Sequence, residues 1–438
     1  MRIGDARLSQ LLRRPWLQRL CLSVCALAIV LATGLYYRKQ WPSYEAFSRA
    51  VDASCMVTYC DFTLFYYKQA RVIRQDENPV KKYFYSPTFA LLLTPLADLS
   101  KDQAQNAWTW FQAASLLLLI VASGLCLRGF SPALQLLLLA LTLTSYPVLH
   151  NWKWGQANTT FVALVLLSFA LLQRQQLAAA ALALALVAAC RYYPAVYAVS
   201  LITRGRYRAL IWFAVACVLL LIAWPALAMG AERALHFYRE SRNAMAQANS
   251  TWVVTISSSQ YLPSTVARLA RAWHLGDVGA RGVWASCAGM LGLCNIALAW
   301  LAIRKRLELF AFCLVALSTP LLLPTSWMHY FVYLPLIQTF TLGVLLALRR
   351  SFWLRLAALT LLWAPSVVLP SVFFYLRIGN TAQYARTGYL LFADLAQLLL
   401  VYLLLGLSWP SWPSWPSWAP HTFRTERRGS TDPYRTAT

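Results

Sequence analysis

The chain has 438 residues, 59% of them hydrophobic and only 12% charged, with mean hydropathy +0.51. A soluble chain carries about a quarter charged residues; repeated apolar runs of spanning length instead indicate an all-α polytopic membrane protein. The net charge is +24, but the basic residues lie in short clusters between apolar runs and not on one soluble face. That pattern excludes a nucleic-acid partner and fits the positive-inside bias and attraction to anionic membrane lipid.

Arg2, Arg7, Arg13, Arg14 and Arg19 precede the first apolar run, Leu20 to Tyr37. No small-x-small cleavage site follows, so a retained helix with a cytoplasmic N-terminus is expected. Working back from Arg424, Arg427 and Arg428 in the tail, crossings are expected at roughly 389–408, 353–376, 330–348, 307–323, 281–303 and 209–229. Those crossings put the clusters Arg204/Arg206/Arg208, Arg304/Lys305/Arg306 and Arg349/Arg350/Arg355 inside. The outer loops are then near 230–280, 324–329 and 377–388.

The run 177–203 is interrupted by Arg191-Tyr192-Tyr193-Pro194. One continuous helix would bury the arginine and break its ladder at the proline. Two short helices meeting at Arg191 on the outer side avoid both problems. Earlier crossings fall at about 157–172, 132–148 and 104–127, while 86–99 is too short to span and reads as re-entrant or interfacial. The total is about twelve crossings, with a long first outer loop, 38–103, carrying interfacial helices. Residues 1–408 form one transmembrane domain. Residues 409–438 hold a Trp/Pro repeat, running from Ser408-Trp409-Pro410 through Trp418, and a basic tail.

In this topology six polar motifs meet on the outer face: Asp61; Tyr83/Tyr85/Ser86-Pro87; the run from His150 through Trp154-Gly155-Gln156 to Asn158; Arg191; Ser257–Gln260; and Ser326-Trp327-Met328-His329. A carboxylate can act as base toward an acceptor hydroxyl, and cations can stabilise a departing phosphate. Asp61 is therefore the candidate base, and Arg191 and His329 the candidate phosphate contacts. Tyr66, Tyr67, Tyr85, Trp154, Gln156, Asn158, Gln260 and Trp327 are candidates for substrate contact. Belt tyrosines, a helix-capping Asn158 and a backbone-bonded His329 are the plainer readings. Cys55 and Cys60 lie in the first outer loop; a disulfide in an oxidising compartment and two free thiols are both open readings. No metal-ligand spacing is present, and no cofactor is implied. Asp394, inside the last helix, is expected to make a structural hydrogen bond.

Asp61-Phe-x-x-x-Tyr66-Tyr67, Tyr85-Ser86-Pro87 with Pro95, Trp154-Gly155-Gln156-x-Asn158, Arg191-x-x-Pro194 and Ser326-Trp327-x-His329 together resemble glycosyltransferase family 87. This is the polyprenol-phosphate-mannose-dependent mannosyltransferase group of GT-C fold, and the likeness covers most of residues 55–340. The chain departs from the family pattern at Arg191, usually Lys, and at Tyr330, often a second His. Only Ser259-Gln260 remains of an Asn-Gln-Ser motif. The resemblance implies inverting transfer of a hexose, mannose by analogy, from a polyprenyl-phosphate sugar to a lipid or glycan acceptor. The site would face the periplasmic side of a bacterial inner membrane. It also implies Asp61 as base, a phosphate contact at 191 and a donor-site role for His329. The rival reading is a transporter or flippase, which would place polar sites at the midplane of repeated halves; no repeat is visible. A non-catalytic assembly subunit would lack the motif cluster.

Overall fold

The computed structural model describes residues 15–41, 43–55, 57–80, 83–202, 206–247, 258–274, 281–305, 307–348 and 351–408. The Trp/Pro repeat, the basic tail, the arginines before residue 15, and Arg204, Ser257, Arg306, Arg349 and Arg350 lie outside them. Among the described residues there is no β-strand, only two isolated bridges.

Helix α1 (Pro15–Gln40) leads to the short α2 (Tyr44–Val51). A π turn, Phe62–Tyr66, feeds α3 (Tyr67–Arg74), and α4 (Pro87–Leu92) follows. Then come α5 (Lys101–Cys126), α6 (Pro132–Thr144), α7 (Tyr146–Trp154), α8 (Asn158–Gln173) and α9 (Leu177–Cys190). A 3-10 segment, Tyr193–Leu201, precedes α10 (Tyr207–Val218), which continues through a π turn to Met229. Helices α11 (Ala231–Gln247), α12 (Leu262–Ala272), α13 (Arg281–Arg304) and α14 (Glu308–Leu317) come next. A 3-10 turn, Met328–Tyr333, opens α15 (Leu334–Ala347). Helix α16 (Phe352–Ala358, extended by a π turn to Val368), α17 (Val372–Ile378), α18 (Thr381–Thr387) and α19 (Tyr389–Ser408) complete the chain.

Local chemistry accounts for the breaks. Ser100 and Gln103 form a capping box at the start of α5. Ser86 caps α4, with Pro87 in its first turn. The π turns Leu219–Ala223 and Leu359–Trp363 stand just before Pro225 and Pro365. Proline offers no N–H to the ladder, and a wider turn absorbs the loss.

Six described helices are long and apolar enough to cross a membrane: Leu22–Lys39, Lys101–Cys126, Tyr207–Met229, Val283–Arg304, Met328–Ala347 and Thr381–Leu407. Five other apolar helices, of 10–17 residues, are shorter, below the ~20 residues a full span needs. Length alone therefore gives six spans and not twelve. The chain is an all-α, multi-pass membrane protein.

Several expected segments are subdivided. The stretch 132–148 breaks at Ser145, where Tyr146 N–H donates to Pro370 O at 2.8 Å. The stretch 353–376 ends at Val368, and a new helix, capped by Ser371, begins at Val372. The expected loops 230–280 and 377–388 contain α11, α12 and α18.

The segment Met328–Ala347 is the central post, with 89% of its residues buried over the spanning stretch. Leu22–Lys39 and Tyr207–Met229 are only 11% buried. The exposed faces of α1 and α10 present Leu35, Val218 and Ile222, an apolar surface suited to lipid. Helix α8 packs along α5 and α9, and α9 also packs along α10. Helix α8 runs away from Asn158 and α9 returns to Arg191, so both residues stand at one end of the bundle. Arg174, just past α8, stands at the other end.

The break at Arg191 sends the next segment back across the bundle to Arg206. Its Nη2 lies 2.8 Å from Glu308 Oε1, with the side chains 14% and 6% exposed. Removing one partner of a buried pair strands the other charge, at a cost of about 3 kcal/mol. Glu308→Ala should therefore lower the melting temperature in detergent by several degrees, whereas an unchanged melting temperature would show the pair to be solvated.

Candidate active site

A cavity of about 430 Å³ opens at the end of the bundle where Asn158 and Arg191 stand. That volume suits a small ligand or a saccharide headgroup. Its polar wall includes Asp61, Tyr66, Tyr85, Gln156 and His329, and its apolar wall includes Phe65, Phe84, Trp327 and Met328.

The turn at Gly155 organises the polar wall. Helix α7 ends there with Gly155 at φ 65°, ψ 35°, a conformation glycine adopts freely. A Cβ at this position would come within 2.6 Å of Tyr59 Cβ and 3.0 Å of Phe62 Cβ, so the turn packs directly on the segment carrying Asp61. Trp108 Nε1 donates to Gly155 O at 3.0 Å, and Gln112 Nε2 donates to Gln156 O at 2.7 Å. Asn151 Nδ2 also donates to Gln156 O, at 2.9 Å. The backbone on both sides of the turn is thus held from α5 and α7.

The Gln156 side chain is a hub. Its amide donates to Asp61 Oδ2. Its carbonyl accepts from Tyr66 O–H at 2.7 Å and Tyr85 O–H at 2.8 Å. Arg191 Nη1 donates to Tyr85 Oη at 3.0 Å and to Asn158 Oδ1 at 2.6 Å. A continuous hydrogen-bonded path therefore runs from Asp61 through Gln156 and Tyr85 to Arg191. Burial is the main influence on the Asp61 carboxyl and raises its pKa to about 7, against the Gln156 hydrogen bond and the charges of Arg191 and Lys153.

Arg191 is 5% exposed. Its backbone is extended, φ −146°, ψ 117°, which ends α9. The guanidinium lies over the rings of Tyr330, Tyr85 and Tyr193, at 4.3, 4.7 and 5.4 Å from their centroids. Among the described residues no carboxylate lies within ion-pair distance of it. Aromatic faces compensate a desolvated cation in part; an anionic ligand would complete the compensation. Ser86 fixes this strand of the wall, since its N–H donates to Cys190 O at 3.1 Å and its hydroxyl donates to Ala189 O.

Asp61 follows a short clamped loop. Cys55 and Cys60 are joined as a disulfide, and Lys153 Nζ donates to Cys55 O. At the start of that loop Asp52, 2% exposed, accepts from Ser54 N–H at 2.9 Å and Trp154 Nε1 at 3.0 Å. His150 Nε2 faces Asp52 Oδ2 at 3.3 Å. Burial pushes the Asp52 carboxyl up, but the His150 contact and the Ser54 hydrogen bond outweigh it and hold it below the usual carboxylate range.

The rings of Trp154, His150, His329 and Tyr330 form a stacked column with successive centroids 5.6, 5.5 and 5.5 Å apart. The column reaches from the Asp52 corner to the Arg191 guanidinium. His150 Nε2 has only its 3.3 Å contact with Asp52, and His150 Nδ1 and both His329 nitrogens have no hydrogen-bond partner, although all are buried. A buried polar atom without a partner costs about 1–3 kcal/mol.

The cavity brings together Asp61, Tyr66, Tyr85, Trp154, Gln156, Trp327 and His329. Asn158 and Arg191 sit one layer behind, on Gln156 and Tyr85. Two further expected contacts are also off the wall. Tyr67 donates to Leu99 O at 2.8 Å. Gln260 donates through its side chain to Ala385 O at 2.9 Å and through its backbone to Ser326 O at 2.7 Å; it braces the Ser326–His329 turn. Ser258, close by in sequence, lines the cavity instead. Asp52 and Lys153 are polar residues of the site whose places were not anticipated. The clue for Lys153 was a charge inside an otherwise aromatic run; Asp52 carried no motif. Asp394 accepts from Tyr333 O–H at 2.7 Å, away from the cavity.

The profile of glycosyltransferase family 87 matches residues 83–324, more than half of the chain. The chain belongs to glycosyltransferase family 87. It is accordingly a membrane glycosyltransferase. The matched region contains Tyr85, Trp154, Gln156, Asn158, Arg191 and Gln260; Asp61 precedes it, and Trp327 and His329 follow it. No curated protein matches the chain.

Gly155 should tolerate no side chain. Gly155→Ala combines an unfavourable positive φ with a clash against Tyr59 and Phe62, a loss of about 2–4 kcal/mol. A clear fall in melting temperature together with loss of activity is expected from thermal unfolding of the purified protein.

Proposed function

We propose that the protein transfers a hexose, mannose in the first instance, from a polyprenyl-phosphate sugar to a lipid or glycan acceptor, with inversion at the anomeric carbon. The observation that carries this reading is the path from Asp61 through Gln156 and Tyr85 to Arg191 along one cavity wall. It joins a base to a cation, the two functions a single displacement at a glycosyl phosphate needs.

Asp61 takes the proton of the acceptor hydroxyl as that oxygen bonds to the anomeric carbon. The bond from this carbon to the phosphate oxygen breaks on the opposite face. The leaving polyprenyl phosphate keeps the electron pair. Arg191 acts on this charge from behind Tyr85, through its field and by polarising the tyrosine O–H. His329 adds a donor nitrogen on the same side, and Trp154 and Trp327 offer faces to the sugars. The polyprenyl tail remains among the apolar exposed helices. Gln156 holds the ionised form of Asp61 by donating to it.

The cavity lies at the non-cytoplasmic end, in a bacterial inner membrane the periplasmic one. Arg174, Arg206 and Arg304 at the opposite end support this sidedness. Counting the five shorter apolar helices and the 3-10 segment Tyr193–Leu201 as crossings gives twelve spans, with both termini inside and the first outer loop, 38–103, carrying the base.

Purified protein supplied with a labelled polyprenyl-phosphate hexose tests the reaction. Asp61→Asn should lower transfer at least a hundredfold while the protein still inserts and runs as a monodisperse species; normal turnover by this variant would overturn the assignment. For the unaltered protein, kcat/KM should be level above pH about 7, near the Asp61 pKa, and fall about tenfold per unit below it as the base is protonated. Arg191→Gln should slow transfer by about one to two orders of magnitude, and Arg191→Lys should restore only part of it, because lysine lacks the planar face that lies over three tyrosine rings.

A further inference from the structure

We infer that Asp52, with His150 and the Trp154 ring beside it, forms a hydroxyl-binding subsite for the saccharide acceptor, separate from the base. The inference rests on the transferase reading above for the identity of the ligand, but not for the existence of the subsite.

Asp52 lines the cavity and is 2% exposed. A carboxylate can accept about four hydrogen bonds. Asp52 takes two with hydrogen-bond geometry, from Ser54 N–H and Trp154 Nε1, and meets His150 Nε2 at 3.3 Å. Acceptor capacity therefore remains on a carboxylate that proton transfer at Asp61 does not use. Next to it, His150 is 3% exposed; its Nε2 faces only Asp52 and its Nδ1 has no hydrogen-bond partner. These are groups a ligand would satisfy.

The charge layout selects the ligand. Arg191 is at the far end of the ring column, whereas Asp52 holds the near end. Lys153 also stands at the Asp52 end, 5.3 Å from the Trp154 ring centroid, but its ammonium already donates to Cys55 O and is offset by Asp52 and Asp61. The anionic part of the donor therefore belongs at the Arg191 end, where among the described residues no carboxylate pairs with the cation. A neutral polyol fits the Asp52 end: one hydroxyl donates to the carboxylate, a neighbouring hydroxyl reaches His150, and the sugar face meets Trp154. Asp52 and Asp61 flank the same disulfide-closed loop. A sugar anchored on Asp52 would therefore present a different hydroxyl toward Asp61.

The test is binding, read independently of turnover. Full-length protein in lipid nanodiscs is titrated with octyl α-mannoside and its four monodeoxy analogues, following tryptophan fluorescence. At least one deoxy analogue should bind the unaltered protein about tenfold more weakly than the parent. Asp52→Asn and His150→Ala should weaken the parent by a similar factor and bind that deoxy analogue no worse than the parent. Retained binding of polyprenyl phosphate would show that the variants are folded. Equal binding of all four analogues to the unaltered protein, or parent affinity unchanged in both variants, overturns the subsite. If mannoside binding depends on Asp52 but no polyprenyl-phosphate hexose is turned over, the proposed donor fails and the subsite stands.

Discussion

The Gln156 side chain is the point on which the site depends. A half-buried carboxylate and a buried guanidinium stand at one end of the bundle, yet they form no ion pair. One amide joins them, donating to Asp61 and accepting from two tyrosine hydroxyls. An amide can do both at once, whereas a carboxylate or an ammonium could do only one. A direct Asp61–Arg191 pair would neutralise both groups and leave a poor base. The bridge lets Asp61 feel the arginine weakly enough that burial still raises its pKa to about 7.

The rest of the structure secures that bridge. Helix α5 holds the backbone through Trp108 and Gln112, α7 supplies the left-handed turn, and α9 stops so that Arg191 can reach Tyr85. The aromatic residues around Arg191 do in this bundle what a carboxylate would do in a soluble core. They lower the cost of a buried cation without pairing it, and so leave its charge available to a ligand.

Much of this was legible from the chain, for physical reasons that differ by residue. Composition alone required a helical membrane protein, because the bilayer admits few alternatives. Arg191 announced itself by interrupting an apolar run. The Trp154-Gly155-Gln156 motif was visible, but not the reason for its glycine, which lies in the approach of Tyr59 and Phe62 from a distant segment. Tyr66 and Tyr67 could not be separated by eye: adjacent residues on a helical turn point about 100° apart, and only Tyr66 faces the cavity. Gln260 looked like a ligand contact because it is polar in an outer loop, yet its hydrogen bonds go to backbone. Asp52 was silent, since a lone acid near a helix end resembles any solvated loop residue until His150 and Trp154 are brought against it. Span counting was limited for a related reason: helices of 10–17 residues are common in this bundle, and hydropathy measures length and not depth.

The turn at Gly155 has a consequence for anyone who wishes to redirect the enzyme. Of the positions that shape the apolar wall, Phe65 and Phe84 are only partly buried and are the ones to randomise in a library, whereas Met328, 2% exposed, belongs to the core. Residue 155 cannot be varied, because every alternative side chain would push the Asp61 segment away before any new specificity could be screened. Useful diversity therefore belongs on the greasy half of the pocket, and the glycine should be left untouched in every round.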